Sequence, residues 1–224
     1  MKPELRIGMV DSGHGLAPGQ VASACRFELA GLGVQQGELL EDALGHGSAV
    51  AEAITSRAGE ARLCVAQVFD QRGVTTALQV AAAIDWLLGC EVRVINLSLG
   101  LREDRPALRQ ACQAAVEAGV LVCASSPAQG APVYPAAYPG VLAVTGDARC
   151  DAGQWTWLDS PQACFAACVR SADARLSGAS LGCAALSGHL AAYLQQQPTA
   201  SNAEVLVWLQ ENAHYRGVER RRGP

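Results

Sequence analysis

The sequence predicts an α/β fold, a mainly parallel sheet with helices on both faces, hence three layers. Three observations predict it. Apolar strand-like runs alternate with helical runs over the first two thirds of the chain. Those strand runs are continuously apolar rather than alternating, the pattern of strands covered on both sides. Half of the 224 residues are hydrophobic and only 17% are charged, enough for one sizeable core and too apolar for a disordered chain.

Each element follows in order. Arg6–Val10 is the first strand. His46–Arg57 is an Ala-rich helix with Val50, Ala53 and Ile54 on one side. Arg62–Phe69 is the next strand. Thr76–Leu88 places Leu78, Ala81, Ala82, Ile84, Asp85 and Leu88 at helical spacing, with Thr75 or Thr76 as N-cap. Arg93–Leu97 is again short and β-rich. The helix Arg105–Ala118 runs into Gly119, a C-cap signal. Val120–Ala124 and Val141–Val144 complete the strands of this half. Residues 145–177 hold turns and short strands, with Trp155 and Trp157 alternating in "QWTWLDS". Ser180–Gln196 is one long Ala/Leu-rich helix that stops before Pro198. Ser201 caps a last helix, Asn202–Asn212, and Glu204 completes a capping box. There is no internal repeat and no low-complexity linker, so one domain over residues 1–224 is expected.

Charge and composition exclude several functions. A net charge of −4 argues against a general nucleic-acid binder. The one basic cluster, Arg220-Arg221-Arg222, reads as a solvated, frayed terminus. No apolar run follows a basic start, so no secretory signal is expected. No window holds about 18 uninterrupted apolar residues, so no membrane span is expected either. The nine cysteines are odd in number and scattered, and none has CxxC spacing. Buried thiols in a reducing cytoplasm account for them better than disulfides or zinc. No cofactor and no metal are expected. Asp42, Asp70 and Asp85 read as solvated or capping acids rather than cation ligands.

Chemistry gathers at the carboxyl ends of strands in open α/β sheets. Asp11 stands there, in "IGMVDSGHG". Taken alone, Asp-Ser-Gly is turn chemistry. Two further stretches change that reading. "LGHGSAVA" sets His46 between glycines at a helix start, where the helix N-terminus disfavours imidazolium and keeps the ring neutral. "LSGASLGCAA" sets Ser180 in the first turn of a buried helix, where free N–H groups can stabilise an oxyanion. Acid, histidine and serine on three element edges fit a Ser-His-Asp triad. His14 reads as a loop residue and His189 lies well inside the long helix; neither these nor His214 is taken as catalytic. A nucleotide-binding reading fails, because "DSGHG" lacks the GxGxxG run.

With the residues in chain order Asp, His, Ser, the sequence resembles the subtilases, the subtilisin-like serine proteases. "IGMVDSGHG" resembles the family's aspartate strand and "GHGSAVAEAI" its histidine helix. "GASLGCAALSGHLAAYL" resembles the serine helix that usually reads GTSMAAPHVAG. The stretch from "VAQVFDQRG" to "VINLSLG", and "YPAAYPGVLAVTG", follow the family pattern too, so the likeness runs from about Arg6 to Tyr193. The resemblance implies a three-layer subtilisin-like fold with trimmed loops. It implies Ser180 as nucleophile, His46 as general base and then acid, and Asp11 as the group that orients His46. Ser98-Leu99-Gly100 would be the edge that pairs with an extended peptide. Residues around Leu99–Leu101 and Ala124–Ala128 would shape the pocket for the side chain before the cleaved bond.

The pattern breaks at one place that matters. "VCASSPAQG" stands where the family carries Gly-Asn, whose asparagine donates to the oxyanion. Pro127 occupies its position. The backbone N–H of Ser180 remains, and Ser125, Ser126 or Gln129 is left to supply a second donor. Lesser departures are Ala179 for threonine, Ala184 for proline and Glu52 for glycine. No propeptide is expected before the first strand, and the loops that hold calcium in secreted relatives are expected to be trimmed. The expected function is a cytoplasmic serine endopeptidase of narrow specificity that cleaves a leader or precursor peptide. Its partners would be peptide or protein precursors, not nucleic acid or membrane. The alternative is a catalytically impaired pseudoprotease that escorts or scaffolds a bound peptide.

Overall fold

The structure, a computed structural model, describes residues 4–31, 33–170 and 177–219. The basic cluster that begins at Arg220 lies outside them. Ten strands form one sheet: β1 (Arg6–Asp11), β2 (Val21–Ala30), β3 (Gly33–Gly37), β4 (Arg62–Gln67), β5 (Val94–Leu97), β6 (Leu121–Ser125), β7 (Leu142–Gly146), β8 (Trp155–Trp157), β9 (Phe165–Ala167) and β10 (Tyr215–Arg216). Their order is β10-β8-β9-β7-β6-β5-β1-β4-β2-β3. Only the β2–β3 and β8–β9 pairs are antiparallel. The helices are α1 (His46–Thr55), α2 (Ala77–Gly89), α3 (Pro106–Glu117), α4 (Ala179–Gln196) and α5 (Asn202–Glu211).

The three layers follow from burial on both faces of the central strands. Along β1, Ile7 and Met9 join a core with residues of α1, α4 and α5, whereas Val10 joins the core under α2 and α3. β4 repeats the alternation, with Leu63 and Val65 on the first side and Cys64 and Ala66 on the second. Because both faces are covered, the inner positions of both strands carry no polar side chain and the run shows no period of two.

β1 occupies the switch point of the sheet. One parallel neighbour is β4, with Val10 opposite Ala66. The other is β5, with Val10 opposite Leu97. The chain builds outward from β1 in both directions, and the connections diverge there, opening a crevice at the carboxyl ends of β1 and β5.

Most predicted elements form within a residue or two of their expected ends. β4 stops at Gln67 rather than Phe69, and α1 at Thr55 rather than Arg57. Thr76, not Thr75, caps α2: its hydroxyl accepts from Gln79 N. Ser201 and Glu204 form the expected capping box of α5. Three strands were not anticipated: β2, β3 and the two-residue β10. β2 and β3 form a hairpin at the sheet edge, where polar side chains are tolerated and the apolar signal fades.

Candidate active site

Asp11 ends β1 and is fully buried. His46 opens α1 immediately after Gly45, whose φ of 68° lies in the left-handed region. The two meet at the crevice: His46 Nδ1 lies 2.7 Å from Asp11 Oδ1. A carboxylate oxygen only accepts, so Nδ1 carries the hydrogen and a neutral ring presents the Nε2 lone pair. Asp11 Oδ1 also accepts from Ser12 N at 2.8 Å, whereas the buried Oδ2 has no hydrogen-bond partner among the described residues.

Close backbone approach makes the Asp11–His46 meeting possible. A Cβ on Gly47 would stand 2.2 Å from the Gly13 carbonyl oxygen, so only glycine lets the start of α1 touch the loop after β1. Gly182 does the same for α4, where a Cβ would stand 2.3 Å from Thr145 O.

Sequence reasoning missed a clamp behind His46. Asp42 Oδ2 accepts from both the backbone N–H and the hydroxyl of Ser48 at 2.7 Å, and its Oδ1 accepts from the Ser12 hydroxyl at 2.8 Å. Ser12 in turn accepts from Gly47 N at 2.9 Å. Asp42 thus ties the first turn of α1 to the end of β1. Burial pushes its carboxyl up, but the bonds from Ser48, Ser12 and Gly45 outweigh burial and hold it below the usual carboxylate range. An acid just ahead of a helix start is the signal that marks it as capping. Asp70 likewise serves a turn, accepting from Arg72 N and Val74 N, and Asp85 is exposed on α2.

His46 differs from expectation in one respect. The helix N-terminus was expected to keep it neutral. Instead the hydrogen bond it donates to Asp11 raises it above its ordinary 6.5; burial opposes this, and the charges of Asp11 and Asp42 add to it. A carboxylate in direct contact outweighs the partial charge of a helix end.

Ser180 is the second residue of α4, after the N-cap Gly178. Its backbone N–H is one of the first-turn donors without an intrahelical acceptor. Ser98 follows β5 directly and fixes the serine in place: the Ser98 hydroxyl donates to Ser180 O at 2.9 Å. Asn96 Nδ2 donates to the Ser98 hydroxyl at 2.9 Å, and the Ser187 hydroxyl donates to Asn96 Oδ1 at 3.0 Å. This buried chain joins β5 to two turns of α4. Val10 is in register with Leu97, so Asp11 and Ser98 are the next positions on neighbouring strands. The acid with its histidine and the serine with its support therefore share one rim. The Ser180 hydroxyl donates to Ser98 O at 3.2 Å, and no hydrogen bond joins it to His46 among the described residues.

The oxyanion candidates stand as follows. The Ser125 hydroxyl donates to Leu99 O at 3.2 Å and the Ser126 hydroxyl to Gln162 O at 2.7 Å. Each hydroxyl has one hydrogen, so both are already engaged. Gln129 is exposed on the loop that follows, and Pro127 is half-buried. On the proposed substrate edge, Leu99 is buried and Gly100 faces Val133; a Cβ there would meet it at 3.2 Å. Leu101 pairs with Tyr134 through two backbone bonds of 2.7 and 2.8 Å. His14 accepts from Leu16 N in a loop, and His189 is buried in α4. All nine cysteines are free thiols, seven of them buried. No group of three or more potential metal ligands occurs among the described residues. No helix among them is long and apolar enough to cross a membrane.

Comparison with known proteins bears on the family and the fold. The model of the subtilase family matches residues 33–223. Subtilisin E of Bacillus subtilis (strain 168) is 26% identical over 200 residues, 79% of this chain and 52% of its own. Among solved structures, the S41 psychrophilic protease superposes with a TM-score of 0.70 at 21% identity, covering 92% of this chain and 82% of that one. The prenylagaramide maturation protease PagA superposes with a TM-score of 0.60 at 21% identity, covering 88% and 77%. These two likenesses establish the α/β fold. The match spans 18%, 40% and 52% of the length of three curated relatives and 71% of Subtilisin Savinase of Lederbergia lenta. The matched family model, with the Asp11–His46 pair and Ser180 on one rim, shows that the chain belongs to the subtilase family of serine endopeptidases.

Proposed function

We propose that this protein is a serine endopeptidase of narrow specificity that cleaves a leader or precursor peptide in the cytoplasm. The Asp11–His46 contact of 2.7 Å beside the first turn of α4 carries the reading. In the proposed reaction the Ser180 hydroxyl turns from Ser98 O to His46 Nε2. Its oxygen attacks the scissile carbonyl carbon while Nε2 takes the proton. The imidazolium is stabilised by Asp11 through Nδ1–H, and the oxyanion faces the Ser180 N–H at the start of α4. Collapse breaks the C–N bond, with the proton passing from Nε2 to the leaving amine. Water then enters by the same relay, releasing the acid and restoring Ser180. The substrate backbone would lie along Ser98-Leu99-Gly100.

Narrow specificity is supported by the Pro127 substitution, since a missing oxyanion donor costs about 3–4 kcal/mol at the transition state and favours a slow enzyme. Nine free thiols support a reducing compartment. Precursor processing is supported by the likeness in fold to a maturation protease. One precursor to test first is the small-subunit leader of quinohemoprotein amine dehydrogenase, which a compact subtilisin-like protease trims. Incubation of candidate precursors with the protein and with Ser180→Ala, read by mass spectrometry, tests the reading: cleavage is expected only with the former, and equal cleavage by both refutes it.

A second reading rests on a specific observation. Pro127 lacks a donor, and the Ser180 hydroxyl rests on Ser98 O. A pseudoprotease that holds an extended peptide without cutting it would have both features. A fluorophosphonate that leaves Ser180 unlabelled, while peptide still binds, would favour it.

A further inference from the structure

β2 runs on past the end of β4 at Gln67. β2 is in register with β4 only as far as Arg26 opposite Gln67. On its other edge β2 stays paired with β3 out to Ala30 opposite Gly33. On the β4 side, Phe27 to Ala30 therefore have no strand partner among the described residues, although the Phe27 carbonyl is already taken by Gln79 Nε2, which donates to it at 2.9 Å and to Val68 O at 3.2 Å. The chain leaves β4 after Gln67 and turns at Asp70, whose N–H donates to Val74 O at 3.0 Å. A cavity of about 670 Å³ lies in the space this leaves.

The shape and chemistry of the cavity point to one kind of occupant. Four consecutive residues of β2, Arg26 to Leu29, line it. One face of a strand would contribute only alternate residues, so the backbone edge itself borders the space. Ser12, next to Asp11 in the chain, is among the residues that line it, so the cavity comes close to the end of β1. Leu29, Leu40, Leu44 and Val74 surround it and are 39–53% exposed. At its lip Arg26 pairs with Glu28 and Arg72 with Asp70, and Glu41 adds one exposed acid. Besides that acid, recognition rests on the strand edge and apolar side chains. That combination suits an extended peptide that adds to a sheet edge, its backbone giving affinity and its alternate side chains giving selectivity.

We propose that this slot binds an extended, apolar segment of the peptide substrate, which adds as a short strand to the free edge of β2, in line with β4. Four residues of strand span about 13 Å, so the segment is short and lies outside the sequence that is cut. The slot would hold a precursor beside the active site by a part of its chain that is not cleaved. The ligand's identity as substrate rests on the peptidase reading above; the binding of an extended peptide does not.

The test separates the two. The probe is an acetylated, amidated hexapeptide of alternating valine and threonine, titrated into isotopically labelled Ser180→Ala protein and followed by amide NMR shifts. Shifts are expected at Phe27, Leu29, Phe69 and Val74. The same peptide N-methylated at alternate residues keeps its side chains but loses donors to the edge, and is expected to bind about tenfold more weakly. Leu29→Arg, at an exposed position, is expected to weaken binding comparably at an unchanged melting temperature. Shifts confined to Ser98–Leu101, no shift at Phe27 to Ala30, or equal binding of the methylated probe would overturn the proposal. Fluorophosphonate labelling of the unaltered protein reports on Ser180 alone. Absent labelling with shifts at Leu29 would refute the peptidase and leave the slot standing, and the converse would do the reverse.

Discussion

Ser98 and Ser180 hold each other twice: the Ser98 hydroxyl donates to Ser180 O at 2.9 Å, and the Ser180 hydroxyl donates to Ser98 O at 3.2 Å. The second bond is long for a hydroxyl donor, so releasing it toward His46 costs little. The first is part of the buried Ser187–Asn96–Ser98 chain and is structural. The proposed nucleophile thus has a firmly held backbone and a loosely held hydroxyl.

Ser98→Ala tests this division. It removes the donor to Ser180 O and leaves Asn96 Nδ2 without its acceptor in a fully buried place. A buried donor left unpaired costs about 1–3 kcal/mol, which urea unfolding should register. Labelling of Ser180 by a fluorophosphonate should also slow, because the first turn of α4 loses its anchor. Unchanged stability would mean that the chain from β5 to α4 supports nothing.

The pH dependence of turnover follows from the Asp11–His46 contact. The proposed catalysis needs neutral His46, and Asp11 raises its titration above 6.5. The rate should therefore rise with pH through a midpoint above 6.5. In Asp11→Asn the acceptor charge is gone, the midpoint should fall, and the rate should drop by about 10⁴. The stability effect has the opposite sense. A folded value above the unfolded one stabilises the protein below about pH 6.5 and is lost as pH climbs through the raised value. Rate profiles and urea midpoints of both proteins across that range check the two signs separately.

His189 carries a pH effect unrelated to catalysis. It is 9% exposed on α4, its ring lies 5.0 Å from that of Trp155, and its Nε2 has no partner among the described residues. Burial, then the charges of Arg57 and His214, push it down to about 4. Above about pH 6.5 the ring is neutral in both folded and unfolded chains and contributes nothing. As pH falls from there toward 4, the unfolded chain takes up a proton that the folded one refuses. Stability should then fall by about 3 kcal/mol in all. His189→Leu should remove that part of the slope. Urea unfolding of both proteins over this range decides it, and parallel slopes would exclude His189 as the cause.

Much of this was legible in the residues, for reasons that also explain the rest. β1, β4, β5, β6 and β7 are covered on both faces, so each reads as an unbroken apolar run. β2, by contrast, mixes Arg26 and Glu28 with Cys25 and Phe27, because only one side of an edge hairpin meets the core. β10 has two residues and no pattern to read. Asp11, His46 and Ser180 stood out because glycines beside them marked tight backbone approaches. Ser12 and Ser98 also stand near glycines, Gly13 and Gly100, so that mark does not single out their anchoring roles. Their roles come from partners 30 or more residues away, Asp42 for the first and Ser180 for the second, which only the folded register brings close.

Pro127 is the position where one substitution should add activity. The hydroxyls of Ser125 and Ser126 are engaged with Leu99 O and Gln162 O, and proline offers neither a side-chain donor nor an N–H. The oxyanion then relies on the N–H of Ser180 and on whatever Gln129 brings from its exposed loop. Pro127→Asn supplies an amide on the loop that leaves β6, next to the rim. A well-placed donor of this kind is worth about 10²–10³ in rate, so even imperfect placement should raise turnover at least several-fold, with binding of the ground-state peptide little changed. Gln129→Ala should slow the parent protein and matter less once the asparagine is present. Single-turnover rates of the four combinations measure that coupling. Additive effects, or no gain from the asparagine, would show that the missing donor is not what limits this enzyme.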